Sequence, residues 1–382
     1  MIKTTMENTL FLQSDVKNPF EIYSRMLADT PIFWDEQNNL WAVYSYAACA
    51  YLLNHRAVEI PAQNALQNGK LNHHAATLVE NLARIANPPR HSMLKEVAAL
   101  VFEAMQPADT AELLDILIGN RRSEIDWVSD VCKNLPVLSL LRGFGFSDSD
   151  CEEITPQIEP LTKILLPVKT DEQIASINES IGRVYHAVAE HLESRNFLIN
   201  SDTLKSLNED EIRAALVSNL IGLLIQSYDA GRGLLSNSLR QLLLRKPNKK
   251  SDYIRRFVIE TVRYDPPVHN TRRILVEDVA VGKSEMKKGQ QILLVLAAAN
   301  RDFQKFNRPT QFDIARTNNL ESLTFGAGEH ACLAKHFSIN LTVNVLTYLL
   351  EIFPQIRLLE NKVTYEPLIN IRLPERMRLF LK

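Results

Sequence analysis

A mainly α-helical fold with small β-sheets is what the sequence predicts, on three observations. Glycine is scarce, at 12 of 382 residues, and the chain is rich in residues that lose little freedom in a helix. Apolar residues make up 46% and charged residues 23%, a balance that fits a folded globular chain and excludes disordered, collagen-like and coiled-coil classes. An apolar run from about Asp210 to Leu243 reads as one helix of roughly 50 Å at 1.5 Å per residue, long enough to cross a domain. No stretch has linker composition and no internal repeat stands out, so residues 1–382 read as a single domain.

Charge and cysteine usage narrow the function. Lys plus Arg is 43 and Asp plus Glu is 45, which argues against a basic nucleic-acid binder. Cys49, Cys132, Cys151 and Cys332 lie far apart with no C-x-x-C pattern, so neither a zinc site nor a disulfide framework is expected, and a reducing cytoplasm fits best. The N-terminal MIKTTMENTLFLQSDVKNPF has no apolar run for a signal peptide or anchor, so a soluble, intracellular chain without a membrane partner is expected.

In chain order, a helix is expected near 18–29. A hairpin follows, from Pro31-Ile32-Phe33-Trp34 through the turn Asp35–Asn39 to Leu40-Trp41-Ala42-Val43-Tyr44, then a helix near 46–54. The Asn-, Gln- and His-rich stretch Ala62–His74 reads as a loop. Asn87-Pro88-Pro89 reads as a helix start, with Asn as the cap. Ser206-Leu207-Asn208-Glu209 offers a capping box for the long helix. Arg245-Lys246-Pro247-Asn248-Lys249-Lys250 reads as an exposed basic loop. A second hairpin is expected over Val279–Val295, turning near Met286-Lys287-Lys288-Gly289.

The most specific segment is Leu323-Thr324-Phe325-Gly326-Ala327-Gly328-Glu329-His330-Ala331-Cys332-Leu333-Ala334, followed by an apolar helix over Ala334–Phe353. Two glycines permit a tight loop. A cysteine at a helix N-terminus meets the positive end of the dipole and unpaired N–H groups, which favour the thiolate. A thiolate there is a soft metal ligand. A lone cysteine is more often a small buried hydrophobe; the residues around Cys332 argue otherwise.

Phe-Gly-x-Gly-x-His-x-Cys resembles the haem-binding signature of the cytochrome P450 family, over about residues 18–382. The resemblance implies the cytochrome P450 haem-thiolate fold, haem b as cofactor and Cys332 as the thiolate ligand of its iron, with Phe325 and Gly326 in the cofactor-binding loop. Ala334 stands where the family usually has glycine. Glu260-Thr261-Val262-Arg263 resembles the E-x-x-R motif, whose members share a helix face. The resemblance implies a structural role for Glu260 and Arg263, tied to Arg316 in Phe312-Asp313-Ile314-Ala315-Arg316. Asn300-Arg301-Asp302 also resembles a family segment. For the haem carboxylates the resemblance implies His330, Arg273, His91 and Lys95, the last replacing the usual Arg with loss of its bidentate fork.

One departure matters. Gln226-Ser227-Tyr228-Asp229-Ala230 falls where the family reads A/G-G-x-D/E-T on the oxygen side of the haem. Asp229 keeps the acid, but Ala230 replaces the alcohol that orders a proton relay, and a methyl group cannot do that work. Gln226, one turn away, is placed to replace it or to make an ordinary core hydrogen bond. Asp229 is expected to keep an ion-pair or gating role, and a pair with Arg232 at i+3 would be surface-like if exposed. The resemblance places Ala62–Thr77, Ser227, Val268, His269, Asn270 and Leu368-Ile369-Asn370 around the substrate, with His269 facing either the pocket or solvent. The polar Gln226, His269 and Asn270 suggest a substrate with hydrogen-bonding groups.

The implied activity is a monooxygenase inserting one oxygen atom from O2 into a small organic substrate. Electrons would come from a separate ferredoxin or flavodoxin, received on a basic face of Arg84, Arg90, Lys95, Lys335 and His336; presentation of the substrate by a carrier protein is compatible with this reading. Two alternatives stay open: a peroxide-using peroxygenase, isomerase or dehydratase, which Ala230 favours, and a non-catalytic haem-binding protein.

Overall fold

A computed structural model describes residues 9–119, 123–194, 208–245, 251–360 and 362–382. The chain forms two compact units, each built from separate segments: Met1–Pro61, Ser123–Val128 and Gly233–Lys382 in the first, Ala62–Arg122 and Ser129–Arg232 in the second. The division falls within the long helix Glu209–Arg245.

The first unit carries the sheets. Its largest runs in the order Ile32–Asp35, Leu40–Val43, Gln291–Leu294, Thr271–Leu275, Val58–Glu59. The expected first hairpin is present, with Trp34 opposite Trp41 and their rings 5.3 Å apart. Gln291–Leu294 is apolar apart from its first residue and runs parallel to Leu40–Val43, as a central strand covered on both sides should. Buried Val43, Leu52, Leu275, Ile292 and Leu294 form one core cluster, and Tyr23, Leu27, Leu40, Ala42 and Leu293 form another. The helices Pro19–Asp29, Tyr46–Leu53, Ser251–Tyr264 and Lys335–Ile352 complete this unit.

The second unit is helical apart from short turns, with His73–Asn81, Arg90–Glu103, Thr110–Ile118, Leu135–Phe144, Asp148–Leu161 and Asp171–Ser194. In Asp171–Ser194 the buried residues Ile174, Ile177, Ile181, Val184 and Val188 recur at helical spacing, giving one apolar stripe. A reciprocal cap between Ser147 and Asp150 starts the helix before it.

Several expected details shift. Ala62–His74 is not all loop: a short helix spans Ala65–Asn68, and Asn72 caps His73–Asn81 by accepting the Ala75 N–H at 3.0 Å. Asn87 gives its carbonyl to the His91 N–H, while Pro89 occupies the cap. Ser206 and Leu207 lie outside the described residues; the reciprocal cap of the long helix is made by Asn208 and Glu211, because the helix begins at Glu209. Residues 246–250 also lie outside them, and Arg245 is not a loop cation but sits 4.3 Å above the Phe312 ring. The second hairpin turns at Gly282, whose φ of +62° suits glycine, and pairs Val279–Val281 with Ser284–Met286. The strand after Gly289 is instead drawn into the main sheet.

Candidate active site

The thiol loop belongs to the first unit. It descends through a 3-10 turn Leu323–Phe325 to Gly326 at φ +69°, then through Gly328 at φ +68° to a second turn, Gly328–His330. A Cβ at Gly328 would lie 2.5 Å from the Leu53 carbonyl oxygen, so this approach of two backbones is open to glycine alone. The Cys332 N–H donates to the Phe325 carbonyl at 2.9 Å, closing the loop, and the helix Lys335–Ile352 begins three residues on. Ala334 caps that helix at φ −88°, a conformation any residue adopts, so the missing glycine costs nothing here. Phe325, Gly326 and His330 are half-buried. Cys332 is exposed, whereas Cys49, Cys132 and Cys151 are buried. Burial pushes the Cys49 and Cys151 thiols up, away from thiolate chemistry.

What holds the loop lies behind it. Glu260 and Arg263 on Ser251–Tyr264 are wholly buried and joined by two hydrogen bonds of 2.9 and 2.6 Å. Arg316 brings its Nε within 3.6 Å of Glu260 and donates to the Asn307 carbonyl at 2.6 Å. The Asp313 N–H also donates to Glu260, at 2.9 Å. Glu260, Arg263 and Arg316 therefore form one cluster. A brace not foreseen from the sequence is Asn300, fully buried. It accepts the Leu323 N–H at 2.6 Å and donates to Thr324 Oγ1 at 2.8 Å, while Thr324 donates to the Val262 carbonyl. Asn300-Arg301-Asp302 was the available signal, but it could not show which partner the amide takes.

Arg273 sits on Thr271–Leu275, buried, and donates to Thr271 Oγ1 and to the Arg272 carbonyl. In the second unit, His91 is buried and Lys95 half-buried one turn apart on Arg90–Glu103.

Two expected pocket residues are corrected. His269 does not face a pocket: it is fully buried among Phe20 and Tyr23, with Nδ1 3.0 Å from the Tyr23 hydroxyl. Burial, then the Arg372 and Arg301 charges, hold its imidazole well below the ordinary range, so it is neutral at pH 7. Asn270 is buried and donates to the Ile369 carbonyl. Both side chains are drawn inward by partners far away in sequence. Val268 bridges to Ile371.

On the long helix within the second unit, Gln226 donates to the Gly222 carbonyl at 2.8 Å and Ser227 to the Leu224 carbonyl at 2.8 Å, each on its own helix. Ala230 is half-buried. Next to it, a Cβ on Gly231 would come within 2.8 Å of the Pro136 ring, which explains a glycine in mid-helix. Asp229 pairs with Arg232 at 2.7 Å, and the pair is not surface-like: the Arg232 side chain is only 4% exposed and lies 4.6 Å from the Tyr228 ring centre. Tyr228 donates to Glu159 at 2.7 Å. Burial pushes the Glu159 pKa up, but the Tyr228 hydroxyl and the Lys133 and Arg232 charges outweigh it, and the carboxylate titrates below its usual range.

The donor set fits a cysteine-ligated metal centre. Among the described residues no group of three or more His, Cys, Asp or Glu stands ready for a bare ion. A metal held at Cys332 would need its other ligands from a non-protein group, as a porphyrin would supply them. A helical frame with small sheets and one loop-borne thiol ahead of a helix is what the resemblance to haem-thiolate enzymes leads one to expect.

The comparisons agree. The family model described as Cytochrome P450 matches residues 248–362. The Biotin biosynthesis cytochrome P450 of Bacillus subtilis is 26% identical over 95% of this chain and 96% of its own length. The Putative cytochrome P450 133B2 of Xylella fastidiosa is 29% identical over 71% and 72%. The crystal structure of P450BioI in complex with hexadec-9Z-enoic acid ligated acyl carrier protein superposes with a TM-score of 0.80, at 22% identity, over 97% of this chain and all of that one. These likenesses support a haem monooxygenase of the cytochrome P450 kind, an oxidoreductase whose cofactor is a cysteine-ligated haem iron. No helix among the described residues is long and apolar enough to cross a membrane.

Proposed function

We propose that Cys332 is the thiolate ligand of the haem iron and that the chain inserts one oxygen atom from O2 into a small organic substrate. The observation that carries this reading is the exposed Cys332 on a loop closed by its own N–H bond to Phe325. When bound, the haem supplies the activation of oxygen; the protein's side chains hold it and handle protons. Residues 1–382 act as one catalytic domain in the cytoplasm. His330, Arg273, His91 and Lys95 face the haem carboxylates, Glu260, Arg263, Arg316 and Asn300 hold the thiol loop, and Ala62–Thr77, Ser227 and Val268 line the substrate side. Electrons come from a ferredoxin or flavodoxin. Arg90 and His336 are exposed and Arg84, Lys95 and Lys335 half-buried, which supports these cations as its docking residues.

The likeness to P450BioI bound to a ligated acyl carrier protein, and to a biotin-biosynthesis P450, supports an acyl substrate presented on a carrier. Its thioester end supplies the polar groups of the substrate, since the buried His269 and Asn270 side chains turn to Tyr23 and to the Ile369 carbonyl.

Ala230 favours a second reading, in which peroxide replaces O2 or a pre-oxidised substrate is isomerised or dehydrated, because those routes need no two-proton relay.

The test is spectroscopic. Reduced, carbon-monoxide-treated protein should show the red-shifted Soret band of a thiolate-ligated haem, and Cys332→His should abolish it. An unchanged band in the variant sinks the assignment. Turnover with peroxide but with no ferredoxin or flavodoxin would overturn the O2 reading and leave the second one standing.

A further inference from the structure

Helices His73–Asn81 and Asp171–Ser194 of the second unit pack against each other. At their seam the His74 ring stacks on Tyr185, centroids 4.5 Å apart, and meets the edge of His186 at 5.0 Å. His73 is 5.6 Å from His74 on the other side. His73 and His186 are exposed, whereas His74 Nδ1 is shut off from solvent and has no hydrogen-bond partner. Polar contacts lie at one end of the seam: the Asn72 N–H and side-chain amide donate to Asn178, and Lys70 pairs with Asp171 at 2.6 Å.

We infer that this seam is a histidine-operated pH switch, in which protonation of His74, wedged beside His73 and His186, releases helix His73–Asn81 from helix Asp171–Ser194. An imidazolium needs two acceptors, and the Nδ1 position of His74 has none, so its added N–H⁺ is satisfied only when the ring leaves the stack. The charged groups acting on His74 are His186 from the facing helix and His73 from its own. The facing helix also presents the phenol of Tyr185, acted on by Arg213 of the long helix, which is itself paired with Glu193. Asp171 is engaged by Lys70 at the far end of the seam.

The direction follows from linkage. Burial, then His186 and His73, hold the His74 pKa below its ordinary value. The packed seam therefore binds fewer protons than the open one as pH falls through about 6.5, and its stability is present above that pH and lost below it. For one histidine that stays neutral in the packed state, opening rises about tenfold between pH 7.5 and 5.5. Because His73–Asn81 overlaps the stretch assigned above to the substrate side, acid is also expected to weaken substrate binding; that consequence rests on the proposed function, and the switch does not.

Hydrogen exchange on the full-length haem-loaded protein tests it, with rates corrected for the intrinsic pH effect. Peptides covering 73–81 should lose about tenfold in protection between pH 7.5 and 5.5, with the haem band and far-ultraviolet circular dichroism unchanged. His74→Phe keeps a ring on Tyr185 and should exchange equally at both pH values. If that variant does not fold, His186→Gln should reduce the drop by removing one of the groups acting on His74. Equal protection in the wild type at both pH values, or a variant that still loses tenfold, overturns the switch. A tenfold loss of protection with substrate affinity unchanged upholds the switch and sinks only the substrate-side placement.

Discussion

Arg263 and Glu260 lie one helical turn apart and meet in a paired, wholly buried contact, with the remaining guanidinium N–H groups on the Asn300, Pro309 and Gln311 carbonyls. The pair thus ties its helix to the segment that leads into the thiol loop. Breaking a buried ion pair by removing one partner typically costs ~3–5 kcal/mol. Glu260→Ala should therefore yield insoluble or haem-free protein, read as the haem-to-protein ratio after purification. A soluble, fully loaded variant would show that the pair is dispensable.

Asn300 makes a more selective prediction. Asn300→Ala leaves the Leu323 N–H and Thr324 Oγ1 each short of a partner, at about 1–3 kcal/mol per unsatisfied buried group. The melting temperature should fall, and the fraction of protein giving the thiolate-type carbon-monoxide band should fall with it. A lower melting temperature with an undiminished band would mean that Asn300 stabilises the unit without shaping the loop.

Two glycines of similar φ separate strain from crowding. Gly282 at +62° has open space where a Cβ would stand, and Gly328 at +68° has the Leu53 oxygen. Gly282→Ala should cost only the left-handed backbone penalty, about 1–2 kcal/mol. Gly328→Ala should cost more and lose haem. Equal melting temperatures for the two variants would contradict the crowding argument.

The proton-handling side is tested at Gln226 and Ala230. Gln226 spends one N–H on the Gly222 carbonyl and keeps the other, together with its carbonyl oxygen. If the amide serves the relay, Gln226→Leu lowers product formed per electron consumed and raises peroxide release, with the haem spectrum intact. Normal coupling in that variant moves the relay to the substrate. Ala230→Thr should improve coupling if the missing hydroxyl limits the natural enzyme; a loss would show that the methyl group makes room.

Local patterns were readable from the sequence where chemistry and spacing sit within a few residues. Cys332 with its glycines, the Glu260–Arg263 spacing, the first hairpin and the long helix are of this kind. Reading failed where a distant partner decides. Nothing near His269 in the sequence announces Tyr23, 246 residues away, and that hydrogen bond turns a presumed pocket residue into a core one. Asp229 and Arg232 were paired correctly, but their burial depends on packing that local spacing does not encode. The second hairpin offered two turn-competent glycines, and competition for the main sheet selected Gly282 over Gly289.

The unequal exposure of the four cysteines gives the haem-free chain a single address for alkylating reagents. Cys49, Cys132 and Cys151 are shielded by the folded core, and Cys332 alone presents its sulfur to solvent. An iron–sulfur bond would remove that nucleophile. Counting maleimide adducts on intact protein by mass should then serve as an occupancy gauge, with one adduct on the apoprotein and none on the loaded enzyme.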